Sequence, residues 1–174
     1  MRLVRSWPLR QPEGRNYVID DAERLYNDNY DYAGLADVGD DIIHIDWDTA
    51  VSREHLETFA AHCKAEPERV RVAPVPVYPD SRRGLAATIW NLKRYDGAGM
   101  RYLDTDEPTC NLFGFGMVYL PHALLRGYIE AVPGETLNDI AFSGWHHRNV
   151  EEETPVAWDV RPIHLHYRIG DVVS

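Results

Sequence analysis

The chain has 174 residues, enough for one compact domain whose core needs no disulfide staples. It carries 28 Asp and Glu against 18 Lys and Arg, a formal charge of −10, which argues against broad nucleic-acid binding because phosphates are neutralised by clustered cations. Two cysteines without a C-x-x-C pair exclude a disulfide framework and a thiolate zinc site. No apolar run is long enough for a signal-peptide core or a membrane span, so a soluble cytoplasmic protein is expected.

The first forty residues are polar and rich in tyrosine. A strand is expected near Leu3 to Ser6, a helix from about Asp20 to Tyr26 with Asp20 or Asp21 as its N-cap, and a loop over Asn27 to Tyr32. The next segment, Asp41-Ile42-Ile43-His44-Ile45-Asp46-Trp47-Asp48, is the most informative in the chain. Ile42 to Ile45 read as a short buried strand, and alternation along an extended chain turns Asp46 and Asp48 the same way. Two carboxylates at a strand's C-terminal end suit a hard divalent cation, Mg²⁺ or Mn²⁺. Asp48 also fits a plain turn residue before a helix that Ser52 can cap, in which Leu56, Phe59, Ala60 and Cys63 recur at helical spacing.

Arg69 to Ala73 alternates as a strand, and prolines at 74, 76 and 79 mark an edge or extended segment. Leu85 to Leu92 fits a helix, while 96–99 and 104–108 read as loops placed to move over a ligand. Phe113 to Leu120 reads as one strand whose Gly114 and Gly116 leave a face bare, for close backbone packing or for a substrate ring. Pro121 then starts a helix with Leu124, Leu125, Tyr128 and Ile129 on one face.

Thr136-Leu137-Asn138-Asp139 opens a further helix that runs towards Trp145, His146 and His147. Asp139 is a candidate general base at a helix start, although Thr136-x-x-Asp139 equally fits a capping box, and the helix dipole would lower its pKa unless burial raises it. Trp145 and His146 suit stacking on sugars and bonding hydroxyls, or packing in the core. The last segments, Val156 to Val160 and Ile163 to Ile169, read as strands, and His164-Leu165-His166 puts two imidazoles on one face as candidate metal ligands. Arg82, Arg83 and Arg168 could pair with phosphates, but taken singly each fits surface solvation better. Strands and helices in alternation indicate an α/β domain built on one sheet.

In order, Ile42 to Asp48, Phe113 to Pro121, Leu137 to Ile140 and Ile163 to His166 resemble the metal-dependent glycosyltransferases of the GT-A fold. The resemblance implies a single GT-A-like domain over 1–174, with a central mixed sheet flanked by helices. A reduced nucleotide-binding part would occupy 1–40 and a metal and acceptor part 41–168. It implies an enzyme that transfers a hexosyl group from a nucleotide-sugar donor to a hydroxyl acceptor, with Mn²⁺ or Mg²⁺ on the donor diphosphate. By the same resemblance Asp48 and one of His164 or His166 would contact the metal, Asp46 would touch the metal or the donor ribose, and Asp139 would be the base if the enzyme inverts. Trp47, Gly114, Gly116, Trp145 and His146 would line the substrates. Forty-five residues precede Asp46, fewer than this fold usually places there, and Asn138 replaces the acidic residue often found before the base. A catalytically silent binding scaffold and a histidine-centred cupin-type metalloenzyme are the alternatives, the second disfavoured by the helices expected at 52–64 and 121–132. Ten tyrosines and five tryptophans leave room for a homo-oligomeric interface.

Overall fold

The computed structural model describes residues 1–8, 23–27, 33–46, 49–79, 88–134, 137–150 and 153–164. Its elements in chain order are β1 (Arg2–Pro8), β2 (Glu23–Asn27), a 3-10 turn (Ala33–Val38), β3 (Ile42–Ile45), β4 (Thr49–Ala50), α1 (Arg53–Ala65), β5 (Arg71–Val72) and β6 (Pro76–Pro79). There follow β7 (Thr88–Trp90), β8 (Leu92–Tyr95), β9 (Met100–Tyr102), β10 (Thr109–Cys110), β11 (Leu112–Phe113), β12 (Met117–Leu120), α2 (His122–Ala131), α3 (Asp139–Asn149), β13 (Thr154–Pro155) and β14 (Ile163–His164).

The central sheet has the order β2-β1-β3-β12-β5. It is mixed: β2, β1 and β3 run parallel, and β12 runs antiparallel to β3 and β5. All four residues of β3 are buried, as are all four of β12, so both faces are covered and neither strand shows the alternation of a half-exposed strand. Side-chain alternation instead divides them between two cores. Ile43, Ile45, Met117 and Tyr119 meet Phe59 and Cys63 of α1, whereas Ile42, Val118 and Leu120 meet Leu125 and Tyr128 of α2 and Phe142 of α3. The result is a helix, sheet, helix layering of α/β type.

Local chemistry accounts for the helices. Ser52 caps α1, its Oγ accepting from His55 N at 3.2 Å, with Glu54 in the first turn and Lys64 in the last, as the helix dipole favours. Full burial of Phe59 contributes about 1.5–3 kcal/mol to holding this helix on the sheet. At α2, Pro121 stands at the N-cap and offers no side-chain bond; the carboxylate of Asp41 accepts from His122 N at 2.9 Å instead. Leu125 and Tyr128 are buried there, Leu124 is partly buried and Ile129 is 37% exposed.

Several expected elements are different in the folded chain. Glu23 to Asn27 form a strand, not the end of a helix, because β1 supplies a parallel partner from Val4↔Glu23 to Pro8↔Asn27. Asp20, Asp21 and the loop at 28–32 lie outside the described residues. The helix expected at 85–92 is not present over its described part: Thr88–Trp90 pairs with β6, and Leu92–Tyr95 with β9 and β11. Phe113 to Leu120 is two strands, since Gly114 to Gly116 carry the chain out of the small sheet β11-β8-β9 and into the central one. Val156 to Val160 is not a strand. Val156 makes one isolated bridge to Val72, after which Trp158 and Asp159 turn.

Candidate functional site

The D-x-D segment leaves the sheet at β3. Asp46 N–H donates to Gly116 O at 3.0 Å, extending the β3–β12 pairing by one residue, and Thr49 N–H donates to Asp46 O at 3.1 Å. Trp47 and Asp48 lie outside the described residues, but the ends of their segment are tied down. Arg5 lies opposite Ile45 on the neighbouring strand and is 1% exposed. Its Nη1 donates to Asp46 O at 3.2 Å and to Thr49 O at 2.9 Å, so one buried guanidinium grips both ends.

Two residues before Asp46, His44 is wholly buried, and its Nδ1 donates to Phe115 O at 2.8 Å. Desolvation pushes its pKa down to about 3, outweighing the carbonyl bond that favours the cation, with Arg5 adding repulsion. His44 is therefore neutral with the proton on Nδ1, and serves to pin the glycine segment against β3.

That segment is also clamped from its other side by Asn91. The Asn91 amide accepts from Val75 N–H at 3.0 Å and donates to Gly114 O at 3.4 Å. Its backbone donates to Val75 O and accepts from Gly114 N–H, both at 3.0 Å. The two glycines thus have different surroundings. A Cβ on Gly116 would meet Val75 Cγ2 at 2.9 Å, which marks close packing, whereas one on Gly114 would meet Asn91 Nδ2 at 3.3 Å and Asp139 Oδ2 at 3.4 Å.

Asp139 is the first residue of α3. The N-cap is Asn138, whose Oδ1 accepts from Ala141 N–H at 2.8 Å, so Asp139 does not serve as the distal member of a capping box. Its Oδ1 accepts from Ile140 N–H at 2.8 Å. Burial raises its pKa above the ordinary aspartate value, prevailing over the backbone N–H groups and Lys93, which pull it down. A carboxylate made more basic in this way is better suited to accept a proton.

Asp139 opens onto a cavity of about 320 Å³ whose walls include Lys93, Met100, Tyr102, Phe113, Gly114 and Ile140. The β8–β9 hairpin that forms one wall is braced by ion pairs. Arg101 forks onto both oxygens of Glu107 at 2.6 and 2.8 Å, and Arg94 reaches Glu107 at 3.3 Å and Glu153 at 2.7 Å. The Arg101 bonds hold the Glu107 pKa down at about 2. In the hairpin turn Asp96 Oδ1 accepts from Ala98 N–H and Gly99 N–H at 3.0 and 3.1 Å. Both segments read from sequence as loops over a ligand are held by side chains at this wall.

The late histidine strand arrives beside the D-x-D segment. β14 pairs antiparallel with β4, His164 standing opposite Thr49, the residue that follows Asp48. His166, and with it Arg82, Arg83 and Arg168, lies outside the described residues. Among the described residues no group of three or more His, Cys, Asp or Glu is gathered as for a metal ion. Trp145 and His146 are not at the Asp139 cavity. Trp145 packs edge-on against Tyr128 with ring centroids 5.7 Å apart, and His146 is 3% exposed, stacked on Phe142 at 6.2 Å, its pKa lowered by desolvation to about 4. They pack in the core because α3 turns that face towards α2 and Phe113.

Arg5, His44 and Asn91 are the residues sequence reasoning passes over. For His44 the signal was present, a polar residue inside a four-residue apolar strand, which must find a partner when buried. Arg5 and Asn91 carry no comparable mark, because their partners are 41 to 44 and 16 to 23 residues away.

No family model matches this chain, and no curated protein matches it. Among solved structures, the crystal structure of A197 from STIV has a similar fold, with a TM-score of 0.54 and 14% sequence identity, covering 94% of this chain and 85% of that one. At that identity the likeness is one of fold. No helix among the described residues is long and apolar enough to cross a membrane.

Proposed function

We propose that this protein is a metal-dependent glycosyltransferase of GT-A type, moving a sugar from a nucleotide-sugar donor to a hydroxyl acceptor. The observation that carries the reading is the β14–β4 pairing, which brings His164 opposite Thr49 and so joins the late histidine to the D-x-D segment across more than a hundred residues of chain. The mixed central sheet, with D-x-D leaving β3 beside antiparallel β12, supports it further.

Asp48 and one of His164 or His166 would hold the metal, with Asp46 on the metal or the donor ribose; carboxylate oxygen and imidazole nitrogen together would suit Mn²⁺ and, less well, Mg²⁺. There a divalent ion would supply positive charge to the departing nucleotide diphosphate. Arg5 keeps the backbone of the carboxylate segment in place. Asp139 accepts the proton of the acceptor hydroxyl as its oxygen bonds to the anomeric carbon; the bond from that carbon to the diphosphate oxygen breaks, and its electron pair leaves with the nucleotide. Gly114 lies against Asp139, where an added Cβ would stand 3.4 Å from its Oδ2.

Calorimetric titration of Mn²⁺ with and without UDP- or GDP-linked sugars, on wild type and Asp48→Ala, tests the reading. Nucleotide binding that requires Mn²⁺ and is lost in Asp48→Ala is expected. Metal binding indifferent to Asp48→Ala but lost in His164→Ala with His166→Ala would overturn it in favour of a histidine-centred site, and absence of both ligands would favour a silent scaffold.

A further inference from the structure

The Asp139 cavity has an uneven supply of polar partners. Of its lining side chains, the Asn91 amide is engaged at both ends, on Val75 N–H and Gly114 O, and the Ser143 hydroxyl, 2% exposed, donates to Ile140 O at 3.4 Å. The charged groups left facing the space are the Asp139 carboxylate and Lys93, whose ammonium lies 5.1 Å from the Tyr102 ring centroid. Apart from the Tyr102 hydroxyl the rest is apolar: Leu112 and Phe113, and the side chains of Met100, Tyr102 and Ile140 at 59, 49 and 78% exposure. These three are among the few large apolar side chains that the described residues leave exposed, and they gather at one opening. A free sugar would bring several hydroxyls against these apolar side chains, which offer them no partner in exchange for water.

We propose that this cavity takes an apolar alcohol, alkyl or aryl, as acceptor, with its single hydroxyl at Asp139 and its body against Met100, Phe113 and Ile140. The proposal rests on the transferase reading for the word acceptor, while the ligand class rests on the cavity alone. The hydroxyl proton passes to the Asp139 carboxylate and the alcohol oxygen gains the glycosyl carbon. The Lys93 ammonium lies over the Tyr102 ring, and both side chains line the cavity.

Saturation-transfer NMR without nucleotide or metal separates this from the transferase reading, using 1-hexanol, p-cresol and methyl β-glucoside as probes on wild type and on M100D/I140D. Both substituted positions are exposed, so the fold should survive, checked by an unfolding temperature unchanged within about 2 °C. Expected is transfer to hexanol, cresol or both, falling at least tenfold in the double variant, with little transfer to the glucoside. Hexanol alone identifies an alkyl acceptor and cresol alone an aryl one. The proposal is overturned if the glucoside binds as well as the alcohols, if no probe binds, or if alcohol binding persists in the double variant. It is also overturned if wild type self-associates through this face and the double variant does not. Alcohol binding with a failed Mn²⁺ and nucleotide titration would overturn the transferase reading alone.

Discussion

Replacing Gly116 with alanine tests whether the glycine segment is shaped by backbone packing. The added methyl would lie 2.9 Å from Val75 Cγ2, 3.1 Å from Val75 Cβ and 3.1 Å from Asn91 Nδ2. Carbon atoms rest at about 3.5–4.0 Å, so the neighbours must retreat by roughly half an ångström. Val75 has little freedom to do so. It is 3% exposed, β-branched, and bonded through its backbone to Asn91 on both N–H and C=O. Overpacking of this kind costs about 1–3 kcal/mol, and loss of the 3.4 Å Asn91–Gly114 bond adds about 1 kcal/mol. At about 2–4 °C per kcal/mol for a chain of this length, the unfolding temperature should fall by roughly 4–16 °C. Gly114→Ala is the control, because its nearest neighbours stand at 3.3 and 3.4 Å and the cavity gives them space; a fall of under about 3 °C is expected. Thermal unfolding followed by circular dichroism at pH 7.5 decides the matter. A Gly116→Ala protein as stable as wild type, or less damaged than Gly114→Ala, would refute the packing argument.

Three further outcomes follow from the same geometry. His44 and His146 are neutral in the fold with pKa values near 3 and 4, so the unfolded chain takes up protons below about pH 6.5 that the folded one refuses, and stability falls with pH. At about 1.4 kcal/mol per pH unit, each should cost about 2 kcal/mol between pH 7.5 and 5.0, with Asp139, whose raised pKa favours the folded state on protonation, opposing in part; urea midpoints that stay level or rise on acidification would contradict this. Arg5→Met should lower stability by about 2 kcal/mol through two lost bonds to carbonyls and weaken Mn²⁺ binding, while Arg5→Lys restores part of both; calorimetry showing unchanged Mn²⁺ affinity in Arg5→Met would rule out its positioning role. Asp139→Asn should keep the Ile140 N–H bond and the fold yet reduce glycosyl transfer by about 10²- to 10⁴-fold, and transfer at the wild-type rate would dismiss Asp139 as the base.

The sequence by itself determined the elements whose causes lie within a few residues. Ser52 and the Leu56, Phe59, Cys63 spacing specify α1 from its first residue, Pro121 marks the start of α2, and the apolar run Ile42 to Ile45 is β3 to the residue. Caps and periodicity are local and can be read without a partner. Where a distant partner decides, tertiary structure alone carried the answer. Glu23 to Asn27 become a strand because β1 offers its edge, and the stretch after Trp90 pairs into a hairpin because β11 lies alongside. The site divides in the same way. Asp46, Gly114, Asp139 and His164, on which the proposed function rests, stand out in the sequence as residue types able to bear chemistry, and so does the order of their motifs. Their neighbours were not: the Arg5 grip on the D-x-D ends, the Asn91 clamp, and the inward turn of Trp145 and His146 depend on burial and on partners far along the chain. Burial likewise raises the Asp139 pKa against the helix dipole, and desolvation is a property of the packed surroundings, which composition and spacing do not contain.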